Sequence, residues 1–355
     1  MFGNQLGRMG LGGAPLGNLF AEVSDADATA TVDTAWDAGV RYFDTAPHYG
    51  LGLSERRLGE ALRHRPRDEA WISTKVGRLL VADPAGAART DIEGFAVPAA
   101  WRRVWDFSAD GVRRSLETSM ERLGTDRVDV VYIHDPDAPA QREQAAREAF
   151  PTLARLREEK VISAIGYGMN HSDALAWLVG ATDPDLVLLA GRYSLLDQGA
   201  LDDLLPLCER RGVAVVAAGV FNSGLLATDR PRPGATFDYR PAGAELVERA
   251  QRAAEICEAH GVTLPAAAIQ FPLGHPAVVN VTVGCRSPAE VERNARLVAT
   301  ELPAALWEDL RTAGIIRADA PTPGPAGTPA RRPVSAGGEA AAGAGGEARS
   351  TGRNA

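Results

Sequence analysis

Short apolar runs alternate with longer amphipathic stretches along most of the chain. The runs RYFDTA (41–46), WISTKV (71–76), RVDVVYI (127–133), ISAIGYG (162–168), DLVLLAG (185–191), VAVVAAG (213–219) and VVNVTVG (278–284) read as strands. A short strand at Met9–Gly12 brings the number to eight. Helices with one charged face are expected over Asp27–Ala38, Ser54–Leu62, Ala109–Leu123, Glu143–Glu159 and Pro241–His260. Continuously apolar strands are buried on both faces, as in a parallel sheet sheathed by helices. Eight βα units in a body of this length fit a single-domain α/β (β/α)8 TIM barrel better than an open doubly wound sheet. No G-x-G-x-x-G lies between an early strand and a helix, and GLGGAPLG (10–17) has the wrong spacing for that fingerprint.

Composition sets the limits of the body. Of 355 residues 45% are hydrophobic, enough for a substantial core and too many for a wholly disordered chain. From Pro321 onward large apolar residues almost vanish, so the expected division is a barrel over residues 1–316 and a disordered low-complexity tail over 317–355. A formal net charge of −8 without any Lys/Arg-rich run argues against nucleic-acid partners. Apolar stretches fall well short of the roughly 18 residues that a membrane span needs. The start MFGNQLGRMG lacks signal-peptide character. Cys208, Cys257 and Cys285 are widely spaced and read as small buried residues. A reducing, cytoplasmic setting follows as the expectation.

Chemistry in a barrel of this kind gathers at the C-terminal ends of the strands. Those ends supply Asp44 and, just beyond it, Tyr49, then Lys75 and His134. Each has an ordinary reading by itself: a turn cap, a rim aromatic, a snorkelling lysine, a core histidine. Four such groups on three successive strand ends point to one site, because an unpaired buried lysine or aspartate is costly. A phenol titrates near 10 and exchanges protons poorly at neutrality. An ammonium beside it favours the phenolate and would draw that pKa down. Tyr49 is then a general acid/base for a carbonyl or alcohol, Lys75 its electrostatic partner, Asp44 the anchor of Lys75, and His134 a hydrogen-bond donor to the same oxygen. No metal enters this scheme.

These segments also carry a resemblance. GVRYFDTAPHYGLGLSERRLGEAL (39–62), STKVG (73–77), DFSADGVRRSLETSMERLGTDRVDVVYIHDPD (106–137) and GCRSPAEVERNARL (284–297) resemble the aldo-keto reductases. DFSADGVRRSLE, LLAGRYSLLDQ (188–198) and AAGVFNSGLLA (217–227) are similar to the branch with L-fucose dehydrogenase, D-threo-aldose 1-dehydrogenase, L-galactose dehydrogenase and pyridoxal 4-dehydrogenase. The resemblance implies a catalytic tetrad of Asp44, Tyr49, Lys75 and His134, and oxidation of the anomeric carbon of a free aldose to its lactone. It implies NAD as cofactor, with NADP as the alternative. Other readings on the same tetrad are a pyridoxal dehydrogenase or an NADPH-dependent aldehyde or ketone reductase; a slow cofactor-sensing subunit is a reading of another class.

By resemblance, the cofactor would contact Gly12, Gly13, Asn170, Gly219, Phe221, Ser223, Arg286, Ser287, Glu290 and Asn294. Ala190 and Ala218 stand where relatives place a carboxamide-binding glutamine and a stacking tyrosine. Ser287, Pro288 and Glu290 spell a capping box, and that helix N-terminus beside Arg286 is an anion site. Glu290 there would repel a 2′-phosphate, which favours NAD. The long connection 77–107 is expected to carry sugar specificity, with His48, Trp101 and Trp105 as substrate contacts. The family's usual N-terminal plug is abbreviated here, so the barrel bottom is expected to be less covered.

Overall fold

The computed structural model describes residues 2–324. Eight parallel strands close into a barrel in the order β1-β8-β7-β6-β5-β4-β3-β2. They are β1 Met9–Gly12, β2 Tyr42–Asp44, β3 Trp71–Val76, β4 Val128–His134, β5 Ile162–Met169, β6 Leu186–Ala190, β7 Ala214–Ala218 and β8 Val278–Gly284. Helices cover the outside, as expected for the TIM fold. None of the described helices is long and apolar enough to cross a membrane.

The period-two alternation of strand side chains sorts each strand into two sets. Phe43, Ile72, Val131, Ile165, Val187, Val215 and Val281 face outward and join the core under the helices. Tyr42, Val130, Tyr132, Ala164, Leu188 and Val216 face inward and fill the barrel. A Cβ on Gly10 would come within 2.6 Å of the Tyr42 ring, and one on Gly166 within 2.7 Å of the Tyr132 ring. Those two glycines make room for the tyrosines in the barrel interior.

The same parity positions the chemistry. Asp44 lies two residues past inward Tyr42, Lys75 two past Ser73, and His134 two past Tyr132. All three therefore emerge on the inner face at the mouth. The register adds to this, pairing Asp44 with Ser73 and Lys75 with Tyr132 across neighbouring strands.

Several boundaries differ from expectation. The helix expected from Glu143 begins at Pro139, where proline suits a first turn, and runs through a π turn at Ala145–Ala149. The helix expected from Pro241 begins at Ala244, because Thr236–Phe237 and Arg240–Pro241 form a small hairpin over the mouth. The connection 77–107 contains an antiparallel hairpin, Arg78–Ala82 against Trp101–Trp105. At the other end of the barrel a turn of helix, Gly3–Leu6, replaces a plug. Leu6 is fully buried against the inward tyrosines, and Asn280 Nδ2 donates to the Leu6 and Gly7 carbonyls at 3.2 and 2.9 Å. The bottom is thus closed by Leu6, with Phe2 packed beside it and edge-on to Trp71, rather than by two strands.

The packed body also passes the expected boundary at residue 316. The Arg317 N–H donates to Gln198 Oε1 at 3.2 Å, Ala320 is buried, and Arg311 Nη2 donates to the Ala320 carbonyl and to Thr322 Oγ1 at 3.0 Å each. The rest of the expected tail, from residue 325, lies outside the described residues.

Because Leu6 is the fully buried side chain of the barrel bottom, Leu6→Ala should cost about 2–5 kcal/mol, read as a lower midpoint in urea. A loss below about 1 kcal/mol would show that the barrel closes without it.

Candidate active site

Lys75 is the centre of the mouth, with its side chain 1% exposed. Its ammonium has three protons and three acceptors: Asp44 Oδ2 at 2.7 Å, the Thr45 carbonyl at 2.9 Å and Tyr49 Oη at 3.1 Å. Burial alone would lower the lysine pKa, but the carboxylate of Asp44 and the phenol of Tyr49 outweigh it and hold the group above its ordinary value. Asp44 is braced in turn. Ser73 Oγ donates to Asp44 Oδ1 at 2.7 Å, lies 3.0 Å from Tyr42 Oη, and Tyr42 and Tyr132 share a hydrogen bond of 2.8 Å. A continuous chain of buried polar groups therefore runs from the barrel interior to Tyr49.

The Tyr49 phenol differs from the expectation that Lys75 would draw its pKa down. Burial pushes it up to about 12, and Lys75 only partly reverses that, with Asp44 raising it further. The group is a proton donor at neutral pH. The rings of His134 and Tyr49 meet edge to face at 6.1 Å. Burial, followed by the Arg78 and Lys75 charges, holds His134 well below its ordinary range, so it acts as a neutral imidazole. Its Nδ1 is buried without a partner among the described residues.

Two connected cavities open at this mouth. One, of about 440 Å³, is bordered by His48, Tyr49, Lys75, Arg78, His134 and Asp135. Its far side carries Phe95 and Glu93, contributed by the long connection after β3. Asp135 has a left-handed backbone (φ +42°) and pairs with the Arg78 guanidinium. Burial raises the Asp135 carboxyl to about 6, with Arg78 pulling it back.

The other cavity, of about 330 Å³, is a groove leading from Gly12 and Tyr49 past Asn170, Ala190 and Ala218 to Gly219, Phe221 and Ser223, and on to Arg286, Glu290 and Asn294. Gly219 turns the chain there with φ +62°, and a Cβ would approach the Gly191 nitrogen to 3.0 Å. Asn222 Oδ1 and Asn294 Oδ1, on buried side chains bordering the groove, have no partner among the described residues. Buried orphan acceptors call for a ligand's donors. With three arginines, Arg192, Arg286 and Arg293, on the same walls, the groove fits an extended anionic ligand with amide or amino donors, which a nicotinamide dinucleotide is.

Not every expected contact reaches a cavity. Gly13 does not line the groove; its N–H donates to the Asp44 carbonyl at 2.7 Å and its own carbonyl accepts from Ser54 Oγ at 2.7 Å, so it shapes the turn from behind. Ser287 caps the helix Pro288–Ala299, accepting from the Glu290 N–H at 3.4 Å, and does not border the groove. The reciprocal half of the capping box lands one residue early, with Glu290 Oε2 accepting from the Arg286 N–H at 2.8 Å. Trp101 and Trp105 border neither cavity. They sit on the hairpin with 44% and 43% of their surface exposed, and the Trp105 ring carries the Arg78 guanidinium 4.3 Å above it. The hairpin directs its Arg103, not its tryptophans, at the site.

Arg78, Asp135, Arg192, Asn222 and Arg293 escaped the sequence reading. Arg293 was within reach, since it follows Glu290 by three residues and precedes Asn294 on one helix face. Arg192 and Asn222 lie on loops whose course no local pattern reveals.

Residues 8–315 match the family model described as "Aldo/keto reductase family". The chain is 48% identical over 318 residues to a D-threo-aldose 1-dehydrogenase of a Pseudomonas species, covering 89% of this chain and 95% of the relative. It is 43% identical to a pyridoxal 4-dehydrogenase of Microbacterium luteolum, covering 87% and 94%. Among solved structures, the holo form of an aldo-keto reductase from Bacillus halodurans superposes with a TM-score of 0.66 at 25% identity, covering 86% of this chain and 91% of that one.

With its pKa raised, the Tyr49 phenol should stay protonated from about pH 6 to about pH 9. An ultraviolet difference titration of wild type against Tyr49→Phe tests this; phenolate assigned to Tyr49 near about pH 8 would contradict it.

Proposed function

The chain belongs to the aldo/keto reductase family, oxidoreductases that work with NAD(P), and from that premise we propose that it oxidises the anomeric carbon of a free aldose to the lactone with NAD. The observation that carries the chemistry is the Lys75 ammonium shared between Asp44 and Tyr49 beside His134. A nicotinamide bound in the groove would supply the acceptor for the hydride leaving the carbinol carbon. The chain's own residues manage the proton.

In the oxidative direction the hydroxyl proton of the substrate passes to the Tyr49 oxygen, as the C–H bond to carbon is given up and the C=O bond forms. Lys75, fixed by Asp44, stabilises the phenolate that must exist before that transfer. His134, neutral, holds the substrate oxygen by a hydrogen bond. In the reverse direction the Tyr49 phenol returns its proton to the carbonyl oxygen.

The polar rim of the substrate-side cavity, with His48, Arg78, Glu93 and Asp135, supports a polyhydroxylated substrate. Similarity to the D-threo-aldose 1-dehydrogenase supports an aldose of the L-fucose, D-arabinose or L-galactose type. A pyridoxal-type alcohol is the second reading, favoured by the 43%-identical relative.

For the cofactor, Glu290 favours NAD. Its carboxylate accepts from the Arg286 N–H at the start of the helix, where its negative charge would repel a 2′-phosphate. Arg286 and Arg293 then serve the pyrophosphate and adenosine side of the groove.

Purified protein should reduce NAD faster than NADP with L-fucose, D-arabinose or L-galactose. Oxidative turnover should climb as pH rises from about 7 toward about 10, because the raised Tyr49 pKa leaves only a small phenolate fraction at neutrality. Tyr49→Phe should lower turnover by about 10²-fold or more while retaining cofactor binding. Absence of aldose oxidation alongside tight cofactor binding would overturn the reading.

Glu290→Gln should move the NADP-to-NAD ratio of kcat/KM toward NADP by about tenfold, the equivalent of about 1.4 kcal/mol. An unchanged ratio would remove Glu290 from cofactor choice.

A further inference from the structure

Arg103 has an unusual placement for a residue on a surface hairpin. Its side chain is 9% exposed, and its guanidinium grips Asp91, itself 4% exposed, through two hydrogen bonds of 2.7 and 3.0 Å. Nη2 also donates to the His48 carbonyl at 3.0 Å. With the fork held in this way, Nε faces the His48 ring and donates to Nδ1 at 2.6 Å.

A guanidinium is a donor only and stays charged, so Nδ1 must present its lone pair. A neutral imidazole with Nδ1 accepting carries its proton on Nε2. Burial, then the charges of Arg78 and Arg103, drives the His48 pKa down to about 2, which removes the doubly protonated form. Nε2 has no partner among the described residues. His48 lines the substrate-side cavity, with its ring centroid 5.9 Å from that of Tyr49 and 5.7 Å from that of His134. Phe95, from the same long connection, packs edge-on against the imidazole at 5.2 Å and limits its rotation.

Building on the family's carbonyl–alcohol chemistry proposed above, we propose that Arg103, held by Asp91, locks His48 as its Nε2–H tautomer, and that this N–H recognises a hydroxyl on the carbon next to the reacting one. His48 is thereby a specificity-determining residue, and Arg103 and Asp91 are positioning residues that never touch the substrate. The preferred substrates are α-hydroxy aldehydes and their cyclic forms rather than simple aldehydes. Arg103, on a hairpin strand that does not line the cavity, sets that preference by dictating which imidazole nitrogen is protonated. Sites built to hydrogen-bond a hydroxyl discriminate strongly against analogues that lack it.

The test uses the full chain with NADH and two aldehydes that differ in hydroxylation, D-glyceraldehyde and propanal, so that it does not depend on aldose oxidation. Wild type should favour glyceraldehyde in kcat/KM by at least about tenfold. His48→Asn keeps an acceptor near Arg103 but has no group at the Nε2 position, and should bring the ratio to within about threefold. Arg103→Met should lower the ratio in the same direction, and Arg103→Lys, which retains a donor, should restore part of it. Nitrogen-15 NMR of the histidine rings supplies a readout that needs no turnover: His48 should appear as the Nε2–H tautomer in wild type and as a mixture in Arg103→Met. A wild-type His48 protonated on Nδ1, or on both nitrogens at neutral pH, overturns the proposal. So does an unchanged glyceraldehyde-to-propanal ratio in His48→Asn. Failure to oxidise any aldose, with both of these results as expected, would instead overturn the aldose reading and leave the His48 assignment standing.

Discussion

The buried ion pair of Lys75 and Asp44 is the constraint on which the mouth of this barrel depends. Taking both charges out of water costs several kcal/mol per ion, and their attraction offsets this only when geometry is close and the remaining protons and lone pairs are satisfied. Here they are. Lys75 spends its three protons on Asp44, Thr45 and Tyr49, and the second Asp44 oxygen takes the Ser73 hydroxyl. The Ser73 hydroxyl in turn sits against the Tyr42–Tyr132 pair, whose rings fit only because Gly10 and Gly166 lack side chains. The site therefore reaches down into the barrel, through a hydrogen-bonded chain that ends at the phenol.

Around this rigid centre the loops divide the work. The loops after β6 and β7 and the N-terminus of the helix Pro288–Ala299 build a long groove with arginines and unsatisfied amide oxygens. The connection after β3 builds the opposite wall. It lays Phe95 against the Tyr49 and His48 rings and sends Arg103 inward. Phe20 and Tyr239 approach to 6.0 Å across the opening, so segments far apart in sequence meet over the junction of the two cavities. A frame of strands with the chemistry fixed at their ends and the binding walls built by loops suits an enzyme that must hold one large ligand and select a small one.

Much of this was legible before any coordinates. Apolar runs marked the barrel strands, and the polar residues at their C-terminal ends marked the mouth. Where reading stopped short, the physics was non-local. That Asp44, Tyr49, Lys75 and His134 gather at one mouth was legible, yet the direction of the Tyr49 shift was not, because burial competes with the lysine charge and only the packed site sets the balance. Trp101 and Trp105 looked like sugar platforms by composition, but both stay half-exposed and border neither cavity, whereas Arg103 between them on the same strand reaches His48. Glu290 was correctly placed at a helix start, though its carboxylate reached the Arg286 N–H rather than that of Ser287. The body also continues past residue 316, because Arg311 and Gln198 supply hydrogen bonds to a segment whose composition alone reads as unfolded.

The amino-acid order settles everything that depends on neighbours along the chain. Period-two alternation decides which residue of each strand faces inward, so Asp44, Lys75 and His134 were bound to share one face once the barrel closed. Side-chain caps at Ser24, Ser108, Thr263 and Ser287 decide where their helices start. Tertiary structure alone decides quantities that depend on distance through space. Register brings Ser73 opposite Asp44; burial raises the phenol; and a guanidinium held by Asp91 selects one nitrogen of His48. Electrostatic and hydrogen-bond energies change over a few tenths of an ångström and with the loss of water, and no pattern along a chain encodes either.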